Sequence, residues 1–178
     1  MTLMDVIMKH FFFGLLFILP LPVLAGDSSP LEVIEFPNVP EFPVPEDLNY
    51  GQFFTKDNPA KIVFGVSDPG HQLKESLINA AYTIKYLKPR GVPYQIELVL
   101  YGKAILPANS FNEKYAGYAA LFNELNNHGV VFSICNNTIE AIGESRDDLY
   151  EYMKVIPAGI LQITKKQMQG FAYIHNTK

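Results

Sequence analysis

Between residue 61 and the C-terminus, short apolar runs rich in β-branched residues alternate with longer stretches of helical period. That alternation restricts the chain to an α/β fold, a mainly parallel sheet with helices on both faces. Lys61-Ile-Val-Phe-Gly-Val66 is the first such run, bounded by Asn58-Pro59 and Asp68-Pro69-Gly70, and reads as a buried strand. Leu73, Leu77, Ala80, Ala81, Ile84 and Leu87 follow at helical spacing, which predicts an amphipathic helix over 72–88 closed by Pro89 and Gly91. A second strand is expected from Tyr94 to Tyr101, then a loop from Gly102 to Ser110. Tyr115, Tyr118, Ala119, Phe122 and Leu125 mark a second helix, ended by Asn126-Asn127-His128-Gly129. Val130 to Ile134 forms the third strand, and Asn137 with Glu140 three residues later is placed to cap a short helix. Asp147 to Met153 predicts another short helix. Gly159 to Thr164 and Phe171 to Ile174 predict the last two strands, joined by a polar turn from Lys165 to Gln169. The expected architecture is a three-layer α/β/α sandwich on a five-stranded sheet, occupying residues 61–178.

Two segments precede that domain. Phe11 to Leu19 is apolar apart from Gly14, Pro20 and Pro22 follow, and Val23-Leu24-Ala25 offers small or apolar residues at the −3 and −1 positions of a cleavage site. With Lys9 ahead of it, this is the layout of a signal peptide over residues 1–25, too short for a comfortable membrane span. Residues 26–60 carry six of the thirteen prolines, and Pro37, Pro40 and Pro43 recur every third residue, which suits an extended chain. Phe36, Val39, Phe42 and Val44 lie among them. A solvated linker has no use for those side chains, so the segment reads as an arm that packs on its own domain or on a neighbour.

The formal net charge is −4, with no basic run longer than Lys165-Lys166. This argues against nucleic acid as a partner and against stable membrane association once the leader is removed. There is no Cys-x-x-Cys, no phosphate-binding glycine loop, no Gly-x-Ser-x-Gly and no metal-spaced set of His and Cys.

The one cysteine, Cys135, falls at the carboxyl end of the third strand and ahead of a helix. Reactive groups in open α/β sheets gather at that edge, and a helix N-terminus stabilises an anion such as a thiolate. A second reading of the same position is a small, inert core cysteine. Asn136 and Asn137 follow it directly, and their backbone amides are candidates for holding an anionic ligand. The loop after the first strand opens on the same edge. There Asp68, Gly70 and His71 form a candidate ligand-binding turn, with an ordinary loop as the alternative. Lys103 also reaches this edge and reads as a solvated lysine. His128 precedes the third strand, so the strand separates it from Cys135 and it is no base for the thiol.

Leu77-Ile-Asn-Ala-Ala81, Ile96-Glu-Leu-Val-Leu-Tyr-Gly102 and Gly129-Val-Val-Phe-Ser-Ile-Cys-Asn-Asn-Thr-Ile139 carry a resemblance, completed by Val155-Ile-Pro-Ala-Gly159 and Gly170-Phe-Ala-Tyr-Ile174. Together these pieces resemble the exported branch of the DsrE/DsrF-like family over about residues 61–175. The resemblance implies a protein of the periplasm that assembles as a homo-oligomer. It also implies a sulfur-relay role in which the cysteine after the third strand, Cys135 here, carries a persulfide between donor and acceptor proteins. It calls for no cofactor and no metal. Many exported relatives carry His-Gly at the end of the second strand, where this chain has Tyr101-Gly102, so no role for that histidine carries over. The alternative is a non-catalytic ligand-binding or oligomeric assembly module with a buried structural cysteine.

Overall fold

The computed structural model describes residues 34–177 except 42 and 46. The leader expected over 1–25 and the start of the arm lie outside the described residues. Five strands form one sheet: β1 (Ala60–Val66), β2 (Tyr94–Leu100), β3 (Val131–Cys135), β4 (Lys154–Ile156) and β5 (Ala172–Ile174). They lie in the order β4-β3-β2-β1-β5, and every pairing is parallel. Four α-helices accompany them: α1 (His71–Leu87), α2 (Ala119–Asn127), α3 (Asn136–Ile142) and α4 (Gly159–Met168).

From β1 to β4 the chain steps steadily across the sheet. It then returns over the whole width to set β5 beside β1. Crossovers between parallel strands are right-handed, so a reversal of direction also changes face. The two faces differ accordingly. Phe64, Val66, Ile96, Leu98, Leu100, Phe132 and Ile134 point to one side and pack with Leu73, Leu77 and Ile84 of α1 and with Phe122 and Leu125 of α2 in the main core. The intervening residues point the other way, as the strand period requires. There Val63 and Val99 meet Ile163 of α4 and Phe171 in a much smaller cluster.

The proline-rich arm packs on the larger core. Ile34, Phe36 and Val39 are buried within it. The Phe36 ring lies 5.1 Å from that of His128, at the amino end of β3. His128 is held there by other bonds. Lys88 donates to its Nδ1 at 2.9 Å, Nε2 lies 3.1 Å from a Glu124 carboxylate oxygen, and Tyr94 donates to its carbonyl.

The structure corrects several expected elements. Gly159 to Thr164 is not a strand. It belongs to α4, and the supposed turn from Lys165 onward continues that helix to Met168. Only Gly159 and Ile163 of α4 are buried, one helical turn apart, while Ile160 and Leu161 face outward. An apolar run this short does not distinguish a buried strand from a helix. The fourth strand is Lys154–Ile156, an edge strand in which Lys154 and Val155 are exposed and Ile156 is half-buried, too short for an apolar signature. Where a helix was expected over Asp147–Met153, a single 3₁₀ turn at Arg146–Asp148 leads into extended chain. The Gly102–Ser110 loop is largely 3₁₀-helical, and the helix expected around Tyr115 begins as a 3₁₀ segment over Glu113–Tyr118 before α2. Asn137 caps nothing, because α3 already starts at Asn136 with Cys135 in the cap position.

Phe36 is 5 % exposed, so Phe36→Ala removes a filled core position rather than a surface ring. Urea denaturation of the variant is expected to show a loss of about 3 kcal/mol. A loss under about 0.5 kcal/mol would show that the arm is not part of the core.

Candidate functional site

Cys135 is the last residue of β3, and α3 begins at the next residue. Its side chain points to the face that α4 covers, in the same alternate set as Ser133. The residue is only 6 % exposed, yet it lines an open cleft of about 340 Å³ together with Tyr101, Thr138, Gly159, Ile160 and Tyr173. A second groove of about 320 Å³ lies at the amino end of β1, against Tyr50, Phe54, Tyr82 and Tyr86. That groove contains no thiol, and the one cysteine of the chain lines the other cleft.

Burial alone pushes the Cys135 thiol up, because a thiolate loses solvation there. Hydrogen bonds to the sulfur outweigh that effect and bring the pKa below that of a free thiol: the Thr138 hydroxyl first, then the backbone N–H groups of Gly159, Thr138 and Asn137. The Gly102 amide donates to Thr138 Oγ1 at 3.2 Å, which leaves the hydroxyl proton free to point at sulfur. Two helix N-termini thus converge on one atom. Asn137 and Thr138 belong to the start of α3, and Gly159 is the first residue of α4. Each contributes unsatisfied amides and the positive end of its dipole. Because the folded pKa is the lower one, ionisation stabilises the fold fully above the pKa of the unfolded thiol. That contribution is lost as the pH falls through the folded value.

Two glycines, Gly159 and Gly65, are closely approached by the tyrosines of the cleft. A Cβ on Gly159 would stand 3.3 Å from Tyr101 Cβ, and one on Gly65 would come within 2.8 Å of the Tyr173 ring. The two tyrosines form the cleft wall opposite α3 and α4. Partial burial raises the pKa of Tyr173, and Tyr101, which is hydrogen-bonded to it, raises it further, so the Tyr173 phenol faces the cleft uncharged at neutral pH.

The residues singled out in the sequence are not all brought together. Cys135 and Asn137 line the cleft; Asn136 does not, and its buried Oδ1 has no hydrogen-bond partner among the described residues. Asp68, Gly70 and His71 share the carboxyl edge of the sheet but stand outside the cleft. Their loop is held by bonds within it and by the Tyr118 hydroxyl, which donates to the Pro69 carbonyl at 3.0 Å. Asp68 Oδ1 accepts from the Gly70 amide at 3.0 Å, and buried Gln72 accepts from the Ser67 and Asp68 amides at 2.7 and 3.0 Å. The His71 side chain is 60 % exposed and lies 3.8 Å from Glu75. Lys103 is exposed and outside the cleft. Among the described residues no three of His, Cys, Asp and Glu are grouped as a metal site would need. Sequence reasoning missed Thr138, Gly159 and Tyr173. Thr138 was legible as one helical turn beyond Cys135. Pro157-Ala158-Gly159 was legible as a helix start, had the following run not been read as a strand.

Thr138→Val keeps the side-chain shape and removes the hydroxyl. The pH midpoint of Cys135 alkylation by iodoacetamide is expected to rise by about one unit, the worth of one hydrogen bond to a charged group. An unmoved midpoint would mean that the hydroxyl does not reach the thiolate.

The whole chain was compared with known proteins. A protein of unknown function from Methanobacterium thermoautotrophicum, MTH1491, has a similar solved structure, with a TM-score of 0.58 and 28% sequence identity over 66% of this chain and 99% of that one. None of the curated proteins matches. The sequence model of the DsrE/DsrF-like family matches residues 60–175, from the first residue of β1 to just past β5 and including the Cys135 cleft, and the chain therefore belongs to the DsrE/DsrF-like family.

Proposed function

We propose that this protein is an exported sulfur carrier in which Cys135 holds a persulfide. The observation that carries the reading is the placement of Cys135 in an open cleft where α3 and α4 both begin, with Thr138 and the first residues of both helices around the sulfur. Such a placement favours the thiolate, the form that reacts. In the loading step the Cys135 thiolate attacks the outer sulfur of a donor persulfide, R–S–SH. A new S–S bond forms to Cys135, the donor's S–S bond breaks, and RS⁻ leaves with the electron pair. The donors that hold the thiolate are in place to hold the resulting persulfide anion. In the unloading step an acceptor thiolate attacks the outer sulfur and releases Cys135 as thiolate. No net oxidation occurs in either step.

Export to the periplasm with cleavage after Ala25 belongs to this reading, supported by the Phe11 to Leu19 run and the Val23-Leu24-Ala25 pattern. Among the described residues no helix is long and apolar enough to cross a membrane. Assembly as a homo-oligomer also belongs to it. Ile160, Leu161 and Met168 on α4 are exposed next to the cleft, an apolar strip that a second copy would cover. The assembly-module reading is favoured by one observation, the near-complete burial of Cys135.

Incubation with a low-molecular-weight persulfide followed by mass spectrometry of the intact protein is expected to show one added sulfur atom on the wild type. Cys135→Ser is expected to show none while keeping the wild-type circular dichroism. Uptake by the serine variant, or none by either protein, would leave the assembly-module reading in its place. N-terminal sequencing of the exported protein is expected to begin at Gly26; an intact Met1 in the membrane fraction would contradict export with cleavage.

A further inference from the structure

The sheet face beneath α4 holds a buried charge that the thiol chemistry does not use. Glu97, on the central strand β2, is 1 % exposed. Ser133 donates to its Oε1 at 2.6 Å, Gln162 donates to the same oxygen at 2.7 Å, and Lys166 Nζ lies 2.7 Å from Oε2. Ser133 is buried on β3, while Gln162 and Lys166 lie one turn apart on α4. A carboxylate left unpaired at such a depth is strongly disfavoured, so these bonds dictate where α4 rests on the sheet. Apolar anchoring of that helix is thin, since only Gly159 and Ile163 are buried.

The cluster and the thiol share the same two elements. Ser133 precedes Cys135 by two residues on β3, pointing to the same face, and Gly159 precedes Gln162 by three on α4. A shift of α4 at Gln162 and Lys166 is therefore also a shift of the Gly159 amide at Sγ. We propose that Glu97 is a positioning residue for Cys135, pinning α4 through Gln162 and Lys166 so that the Gly159 amide stays directed at the sulfur. This rests on Cys135 being the working thiol, as proposed above, and reaches the thiol through the helix rather than by contact. Around Cys135, the residue that follows β2 and the strand β5 present the phenols of Tyr101 and Tyr173. α3 presents Asn137 and Thr138, and α4 presents Gly159, Ile160 and Gln167, none of which is charged. Lys166 is the charged group that faces Glu97.

The sign of the effect separates positioning from simple electrostatics. Glu97→Gln deletes a negative charge, and through space that alone makes a thiolate easier to form. Loss of the helix position makes it harder. In the full chain, the midpoint of the iodoacetamide rate against pH for Glu97→Gln is expected to rise by about half a unit. Below the midpoint this reads as roughly threefold slower alkylation. Gln162→Met loosens the same helix without unpairing the carboxylate, and is expected to move the midpoint in the same direction should Glu97→Gln fail to fold. Lys166→Arg, which keeps the ion pair, is expected to hold the wild-type midpoint. An unmoved or lowered midpoint in Glu97→Gln or, where that variant does not fold, in Gln162→Met would overturn the proposal, even with a reduced melting temperature. Sulfur uptake is scored separately. A raised midpoint without persulfide loading of the wild type would leave the positioning role standing and remove the carrier reading.

Discussion

A parallel sheet needs cover on both faces, and here one ten-residue helix, α4, lies across the second. The requirement follows from strand order. Because β5 lies beside β1, the last crossover has to span the sheet in the reverse direction, and its helix cannot join α1 and α2 on the main core. A short helix with two buried residues has little apolar surface with which to hold itself down. Polar bonds to a buried carboxylate do much of that work, through Gln162 and Lys166.

The position of α4 in turn shapes the cleft. Its N-terminus points at Cys135, its Ile160 forms part of the wall, and its first residue is a glycine because Tyr101 leaves no comfortable room for a Cβ. The thiol is therefore not merely at the end of a strand. It lies where two helices begin, one following directly from β3 and the other arriving from β4, under donors that counter the desolvation burial imposes. The larger core, with α1, α2 and the arm, lies on the other face of the sheet from the Cys135 side chain.

The first three strands and the first helix were legible because burial leaves a plain mark on them: near-continuous apolar runs for β1 to β3, covered on both faces, and an apolar stripe for α1. The carboxyl-edge position of Cys135 followed from that pattern alone. What came after β3 was not legible, for a common physical reason. β4 is a largely exposed edge strand of three residues, and α4 exposes Ile160 and Leu161, so neither shows the burial its type normally leaves in a sequence. A sequence pattern that reads α4 as a strand also hides Gly159, one of the four donors around the thiol. In the β1–α1 loop, Asp68 and His71 drew notice as chemically versatile residues. The residue that organises the loop is Gln72, a buried amide that accepts from the Ser67 and Asp68 backbone amides.

The account turns on one property, a Cys135 that is ionised more readily than a free thiol while the protein is folded. Thiolate absorbance in the ultraviolet, titrated against pH on the native wild type and corrected with Cys135→Ser, reads that property without any reagent having to enter the cleft. The account predicts a single transition centred below the roughly 8.5 of an unperturbed thiol. A transition at or above that value, or one that appears only when the protein unfolds, would contradict it.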